Sequence, residues 1–282
     1  MNGSHPDFWP ECRKADFLNQ IEDRLRARDN SNFVEHLSWD EVALRLAKGA
    51  SAILPIGAAA KEHGFHLPMN TDLVQAELLA ARIAAQVDAL IWPTVSYGYY
   101  PAFAEYAGSC SLSDETFVSV IEELTRALLG FGCKAVLVLD TGISTISSVE
   151  RALSRLSGAN ALHLKIYDGP KYRAKAERLI QQVHGSHADE LETSLMLALA
   201  PHLVEMNRAE ASSLINCEAE GPLTPSDPSS PNYSQSGSFG DPTLATRTKG
   251  DILLVAMMDD LIEQVRHYFK LSARDENRKA AS

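Results

Sequence analysis

Residues 52–87, AILPIGAAAKEHGFHLPMNTDLVQAELLAARIAAQV, decide how this chain is read. The short apolar run Ala52–Ile56 has the character of a buried strand end. From Asp72 the alanine- and leucine-rich pattern LVQAELLAARIAAQV, with Glu77 and Arg82 interspersed, predicts a helix. The following run ALIWPTVSYG, residues 89–98, predicts a second strand. Strand, loop, helix, strand is the βαβ rhythm, and the loop between strand and helix carries Lys61, Glu62, His63, His66 and Asp72. Polar groups on a loop leaving the carboxyl edge of a parallel sheet lie where open α/β sheets place their sites.

The same rhythm extends in both directions. Ser38 followed by Asp40 and Glu41 has the pattern of a capped helix running to about Lys48 and stopping at Gly49. Ser113, Asp114 and Glu115 open a helix to Leu129, Gly130 and Gly132 stop it, and KAVLVL at 134–139 reads as a strand buried on both faces. Further helices are expected at 147–156, 172–183 and 188–199, with a strand at 161–167 and a last helix at about 249–271. Residues 218–243, rich in proline and serine, form one long loop of the kind that is either functional or disordered. Alternating helices and buried strands imply a three-layer α/β/α sandwich on a mainly parallel sheet. The expected organisation is an amino-terminal arm at 1–35, including a helical patch at 15–28, one domain at 36–272 and a solvated tail at 273–282.

Composition narrows the function. With 282 residues, 45% hydrophobic and 22% charged, the chain can bury a sizeable core. A net charge of −11 disfavours nucleic acid and anionic membranes, whose charge the mean field would repel. Cys12, Cys110, Cys133 and Cys217 show no metal-finger spacing and no disulfide framework, which fits reduced thiols in the cytoplasm. No apolar run is long enough to span a bilayer, and the amino terminus lacks the basic start and apolar core of a signal peptide.

At five segments the chain resembles the creatininase (creatinine amidohydrolase) family, over roughly residues 37–268. These are LPIGAAAKEHGFHLPMNTD at 54–72, AGSCSLSDETF at 107–117, LDTGIST at 139–145, HADELETSLMLALAPHLV at 187–204 and GDPTLATRTKG at 240–250. The resemblance implies a three-layer α/β homo-oligomer that hydrolyses amide-type C–N bonds with a pair of zinc or manganese ions. In the family's first motif a Glu, a His and an Asp are ligands. Here the His is His63 and the Asp is Asp72, but Lys61 stands at the Glu position, with Glu62 one place later. In the second motif Gly142 stands for the ligand His and Ser144 for the ligand Glu.

Three missing ligands argue against a complete dinuclear centre, since several donors must hold a metal pair and its water. Two arrangements stay open. One is a single divalent ion, zinc or manganese, held by His63 and Asp72 with Glu62 or a carboxylate from Asp189 or Glu192. In the other Lys61 supplies the positive charge for a developing oxyanion without metal. The resemblance casts His187 as general acid or base, with Glu192 five residues on, and a near-neutral pKa suits histidine to that work. His66, Asp140 and Ser144 are placed to touch substrate, although His66 could instead pin its loop, and Ser144 and Thr145 could cap the next helix. Tyr97, Tyr99, Tyr100, Phe103 and Tyr106 form an aromatic cluster that suits a pocket wall or ordinary core. The expected function is hydrolysis of an amide, lactam or related C–N bond of a small, cyclic molecule. Metal-independent hydrolysis of a cyclic ketone or lactone, and a catalytically silent binding subunit, are the alternatives.

Overall fold

The structure, a computed structural model, describes residues 31–156, 158–212 and 221–280, with side chains to residue 270. The expected helix at 15–28, Cys12 and Cys217 lie outside the described residues. Four parallel strands, β1 (Ser51–Ile56), β2 (Ala89–Ile91), β3 (Val136–Asp140) and β4 (Ala161–Lys165), form one sheet in the order β2-β1-β3-β4. Around them lie α1 (Trp39–Ala47), α2 (Thr71–Ala84), α3 (Asp114–Gly130), α4 (Ile146–Ser154), α5 (Pro170–Leu179), α6 (Glu190–Leu199) and α7 (Arg247–Ala280).

Strand periodicity builds the two cores. Successive side chains point to opposite faces, so Ile53, Leu137 and Leu139 enter one cluster while Ala52, Leu54, Ile56, Val136 and Val138 enter the other. The first cluster is closed by Leu79 and Ile83 of α2, Leu195 of α6, and Leu253, Met257 and Val265 of α7. Phe117 and Ile121 of α3 and Val149 and Ala152 of α4 close the second. This is the three-layer α/β/α sandwich read from the sequence. Every residue of β1 and of β3 is buried, which is why both read as continuous apolar runs.

Several element ends differ from the sequence reading. The second strand stops at Ile91, because Pro93 cannot donate to a ladder, and only Val95 makes a further bridge to Ile56. Helix α5 begins at Pro170, whose fixed φ suits the first turn, and α7 runs on to Ala280. The expected cap of α1 is present as a capping box, with Glu41 accepting from the Ser38 backbone at 2.7 Å. The long loop is ordered where described: Thr224 bridges Tyr233, and Phe239 pairs with His187. No described helix is long and apolar enough to cross a membrane.

Strand order fixes where a site can form. From β1 the chain crosses to β2 on one side, then passes to β3 on the other, so the order reverses between β1 and β3. Their carboxyl ends, Ile56 and Asp140, face each other in register. Loops leaving those two ends diverge and open a crevice at that switch point.

Candidate active site

The loop from β1 to α2 is folded tightly enough that its polar side chains turn inward. Gly57 permits the fold, because a side chain there would strike the backbone of Asp72 and Leu73. Thr141 of the β3 loop donates to the carbonyls of Ile56 at 2.9 Å and Asp72 at 3.2 Å, tying the two loops together. The segment 96–112 clamps the outside: Cys110 N–H bonds Ala60 at 2.9 Å, and Ser109 Oγ accepts from Glu62 N–H at 3.0 Å. Lys61, Glu62, His63, His66 and Asp72 are all buried as a result.

These groups pair by charge. Lys61 Nζ lies 2.7 Å from Asp72 Oδ2, and Asp72 Oδ1 is 3.0 Å from His63 Nε2. His63 Nδ1 is 2.9 Å from the Lys61 carbonyl. Burial disfavours the ammonium of Lys61, but Asp72, Glu192 and Glu62 outweigh it and raise its pKa above 10.5. Burial likewise pushes the Asp72 carboxyl up, and Lys61 and His63 pull it well below the usual carboxylate range. Lys61 is therefore a fixed cation.

His187 and Glu192 come from the start of α6. Asp189 caps that helix, accepting from Leu191 and Glu192 N–H at 3.0 Å each, and its other oxygen accepts from Gln182. Ala188, between His187 and the cap, has φ of 47°, the one non-glycine residue with positive φ among those described. Its N–H donates to Glu192 Oε2 at 2.7 Å. This kink aims His187 back at the first loop, where its Nε2 lies 2.7 Å from Glu62 Oε1. Burial lowers the His187 pKa, and the charge and hydrogen bond of Glu62 reverse that and leave it raised above 6.5. Glu62 is lowered in return, His187 overcoming the effect of burial. His187 Nδ1 faces Glu192 Oε2 at 3.9 Å, and Glu192 Oε1 is 3.8 Å from His63 Nε2.

The remaining candidates separate into two groups. Ser144 lines a small cavity with Lys61, Asp72, Tyr100, Gly142 and Thr145, which brings the second motif against the first. Asp140 is committed elsewhere: one oxygen accepts from Thr145 at 2.6 Å and Gly142 N–H at 3.1 Å, and the other meets His163 Nε2 at 3.1 Å. Thr145 thus serves Asp140 and makes no cap bond to α4. His66 Nε2 is 2.7 Å from Thr193 Oγ1, and its Nδ1 has no partner among the described residues. Burial holds the His66 pKa down at about 4.

Two residues beside the site, Gln75 and Tyr167, escaped the sequence reading. Gln75 Nε2 reaches Glu192 Oε1 at 3.4 Å, and Tyr167 donates to Gln75 Oε1 at 3.2 Å. Gln75 shares the buried face of α2 with Asp72, Ala76 and Leu79, and a lone amide on an apolar face was the signal available. Phe103, one of the aromatic cluster, lies with its ring 4.1 Å from that of His187 and 5.1 Å from Lys61 Nζ.

A pair of divalent ions does not fit these residues. Lys61 holds its proton against Asp72, Gly142 offers no donor, and Asp189 is used as a helix cap. Among the described residues His63, His187 and Glu192 alone form a group able to hold an ion, with ligand atoms within 4.8 Å of one another. Two imidazoles and a carboxylate are a donor set that suits zinc.

Buried carboxylates, imidazoles and an ammonium gathered at the switch point of a parallel sheet mark a candidate site in a protein of the three-layer α/β class. The family model described as creatininase, creatinine amidohydrolase, matches residues 35–265, and the chain belongs to the creatininase family. It is 26% identical over 261 residues to creatinine amidohydrolase of Pseudomonas putida, covering 85% of this chain and 98% of that protein. It is also 27% identical over 238 residues to the mycofactocin precursor peptide peptidase of Mycobacterium tuberculosis, covering 77% and 85%. A solved manganese form of creatininase superposes with a TM-score of 0.72 at 25% identity, covering 85% of this chain and 99% of that one.

Proposed function

We propose that this protein hydrolyses an amide-type C–N bond, in a lactam, another small cyclic amide or a short peptide, with Lys61 standing where its relatives place a dication. The observation that carries this reading is the buried Lys61–Asp72 pair, 2.7 Å apart, inside the loop that otherwise supplies metal ligands. Relatives named for creatinine and for a precursor peptide support the amide bond and leave both small-molecule and peptide substrates in scope.

Roles follow from the charges. Glu62 favours the protonated form of His187, whose Nδ1–H can protonate the leaving nitrogen while Glu62 holds Nε2–H. Glu192, across the 3.9 Å gap from Nδ1, takes a proton from the attacking water. The water oxygen bonds to the carbonyl carbon, and the carbonyl oxygen gains charge opposite the Lys61 ammonium. The C–N bond then breaks as the nitrogen receives the His187 proton. Ser144 and His66 stand beside this centre as substrate contacts.

Cyclic amides, cyclic ureas and short peptides incubated with the protein, with products read by mass spectrometry, test the reading. Addition of one water across a C–N bond, lost in His187→Ala, is expected. Cleavage confined to lactones or cyclic ketones would sink it.

A specific observation supports a second reading, in which His63, His187 and Glu192 hold one zinc or manganese ion. In that case His187 would be a ligand and the acid role would fall to another group.

A further inference from the structure

We propose that Gln75 is the positioning residue for Glu192, with its own amide held in orientation by Tyr167. This rests on the reading that Glu192 takes the proton of the attacking water. Gln75 is fully buried and lies one turn beyond Asp72 on α2, so a single helix face carries a carboxylate to Lys61 and an amide to Glu192. Its two contacts assign that amide. A carboxylate only accepts, so Nε2 is the atom that meets Glu192 Oε1, at 3.4 Å, and Oε1 of Gln75 is left to accept from the Tyr167 hydroxyl at 3.2 Å. Burial of that hydroxyl, then the nearby Glu192, Tyr172, Asp72 and Asp189, push its pKa well above 10, so it stays a donor. The Tyr167 ring packs in turn against that of Tyr172, with centroids 5.6 Å apart.

Glu192 needs a second point of attachment. Its Oε2 accepts from the Ala188 N–H at 2.7 Å, but the terminal torsion of a glutamate is broad, and one contact does not set the carboxylate plane. His63 Nε2, at 3.8 Å from Oε1, is beyond hydrogen-bond reach. Among the described residues Gln75 alone donates to Oε1. With both oxygens held, Oε2 keeps its place 3.9 Å from His187 Nδ1, base beside acid.

Two measurements on Gln75→Leu, Tyr167→Phe and the double variant test this. The first needs no substrate: in proton–nitrogen correlation spectra the Gln75 side-chain amide is the signal pair that Gln75→Leu removes. That pair should move on Tyr167→Phe and on Glu192→Gln, since each alters one of its partners. A pair unmoved by either change would overturn the proposal. The second is hydrolysis of whichever cyclic amide or short peptide is cleaved. Gln75→Leu should lower kcat about thirtyfold with KM within about twofold, a share of what a positioned base supplies. Tyr167→Phe should cost about fivefold, and the double variant no more than Gln75→Leu alone, because Tyr167 acts through Gln75. A lowered thermal midpoint with kcat unchanged would make Gln75 structural only and overturn its positioning role. Should Gln75→Leu fail to fold, Gln75→Met takes its place in both measurements. A pair that moves as expected in a protein whose Glu192→Gln variant hydrolyses amides at the native rate would sink the base reading of Glu192 and leave its contact with Gln75 standing.

Discussion

Lys61 of the β1–α2 loop and Asp72 in the first turn of α2 form a buried ion pair, Nζ to Oδ2 at 2.7 Å. The ten residues between them are folded back so that these side chains meet, and His63 shares the same carboxylate at 3.0 Å. The pair gives the loop its shape and the site its fixed positive charge.

Removing the cation should cost both stability and rate. Lys61→Met leaves Asp72 buried beside His63 alone, and breaking a buried pair from one side costs about 3–5 kcal/mol. Loss of a fixed oxyanion partner should lower kcat by about 10²–10³. Urea unfolding and hydrolysis rates of the single variant check both. A rate unchanged in a protein that remains folded would remove Lys61 from the chemistry.

Glu62 sets the charge of His187, so Glu62→Gln should lower the His187 pKa. An acid catalyst works while protonated, so activity is lost as pH rises through its pKa. In the variant the alkaline limb of the kcat profile should move to lower pH, where a base catalyst would gain activity over the same range. The profile of the variant against the native protein distinguishes the two.

His66 should make stability fall below pH 6.5. Its pKa is held at about 4 in the fold against an ordinary 6.5, so the unfolded chain binds its proton first. A depressed pKa contributes stability that is full above 6.5 and is lost as pH falls towards 4. The difference corresponds to about 3 kcal/mol. His187, raised, gives its stabilisation below 6.5 without change, and Glu62 and Asp72, lowered, yield theirs only below their ordinary values of 4.5 and 3.8. His66→Gln should flatten the dependence of the urea midpoint between pH 6.5 and 4.5.

Ala188 carries left-handed backbone at φ 47°, a conformation that costs a side-chain-bearing residue about 1–2 kcal/mol. Ala188→Gly should leave thermal stability equal or higher, and Ala188→Val should lower it clearly. A midpoint for the valine variant equal to the native one would mean that His187 is not aimed by backbone strain.

Much of this was legible in the sequence because it follows from period and punctuation. Buried strands such as VLVLD, the capping box at Ser38 and Glu41, and the helix of 71–84 all carry local signals. The polar loop pointed to the site, and His63, Asp72, His187 and Glu192 converge there as their motif positions implied. Pairings were not legible, because they depend on contacts far apart in the chain. Glu62 binds His187 across 125 residues, and His66 meets Thr193 across 127. Asp140 looked free to touch substrate until His163, on the neighbouring strand, filled its second oxygen. Phe103 gave no local sign of lying over two cationic side chains.

The metal content of protein purified without chelator or affinity tag tests the central claim most directly. One ion per chain would select the site of His63, His187 and Glu192. With Lys61 in the position of a dication, less than one zinc or manganese ion per chain is predicted, and restoring the family residue with Lys61→Glu should not create a bound pair. Two ions per chain in the native protein, removed together by a chelator, would contradict the account.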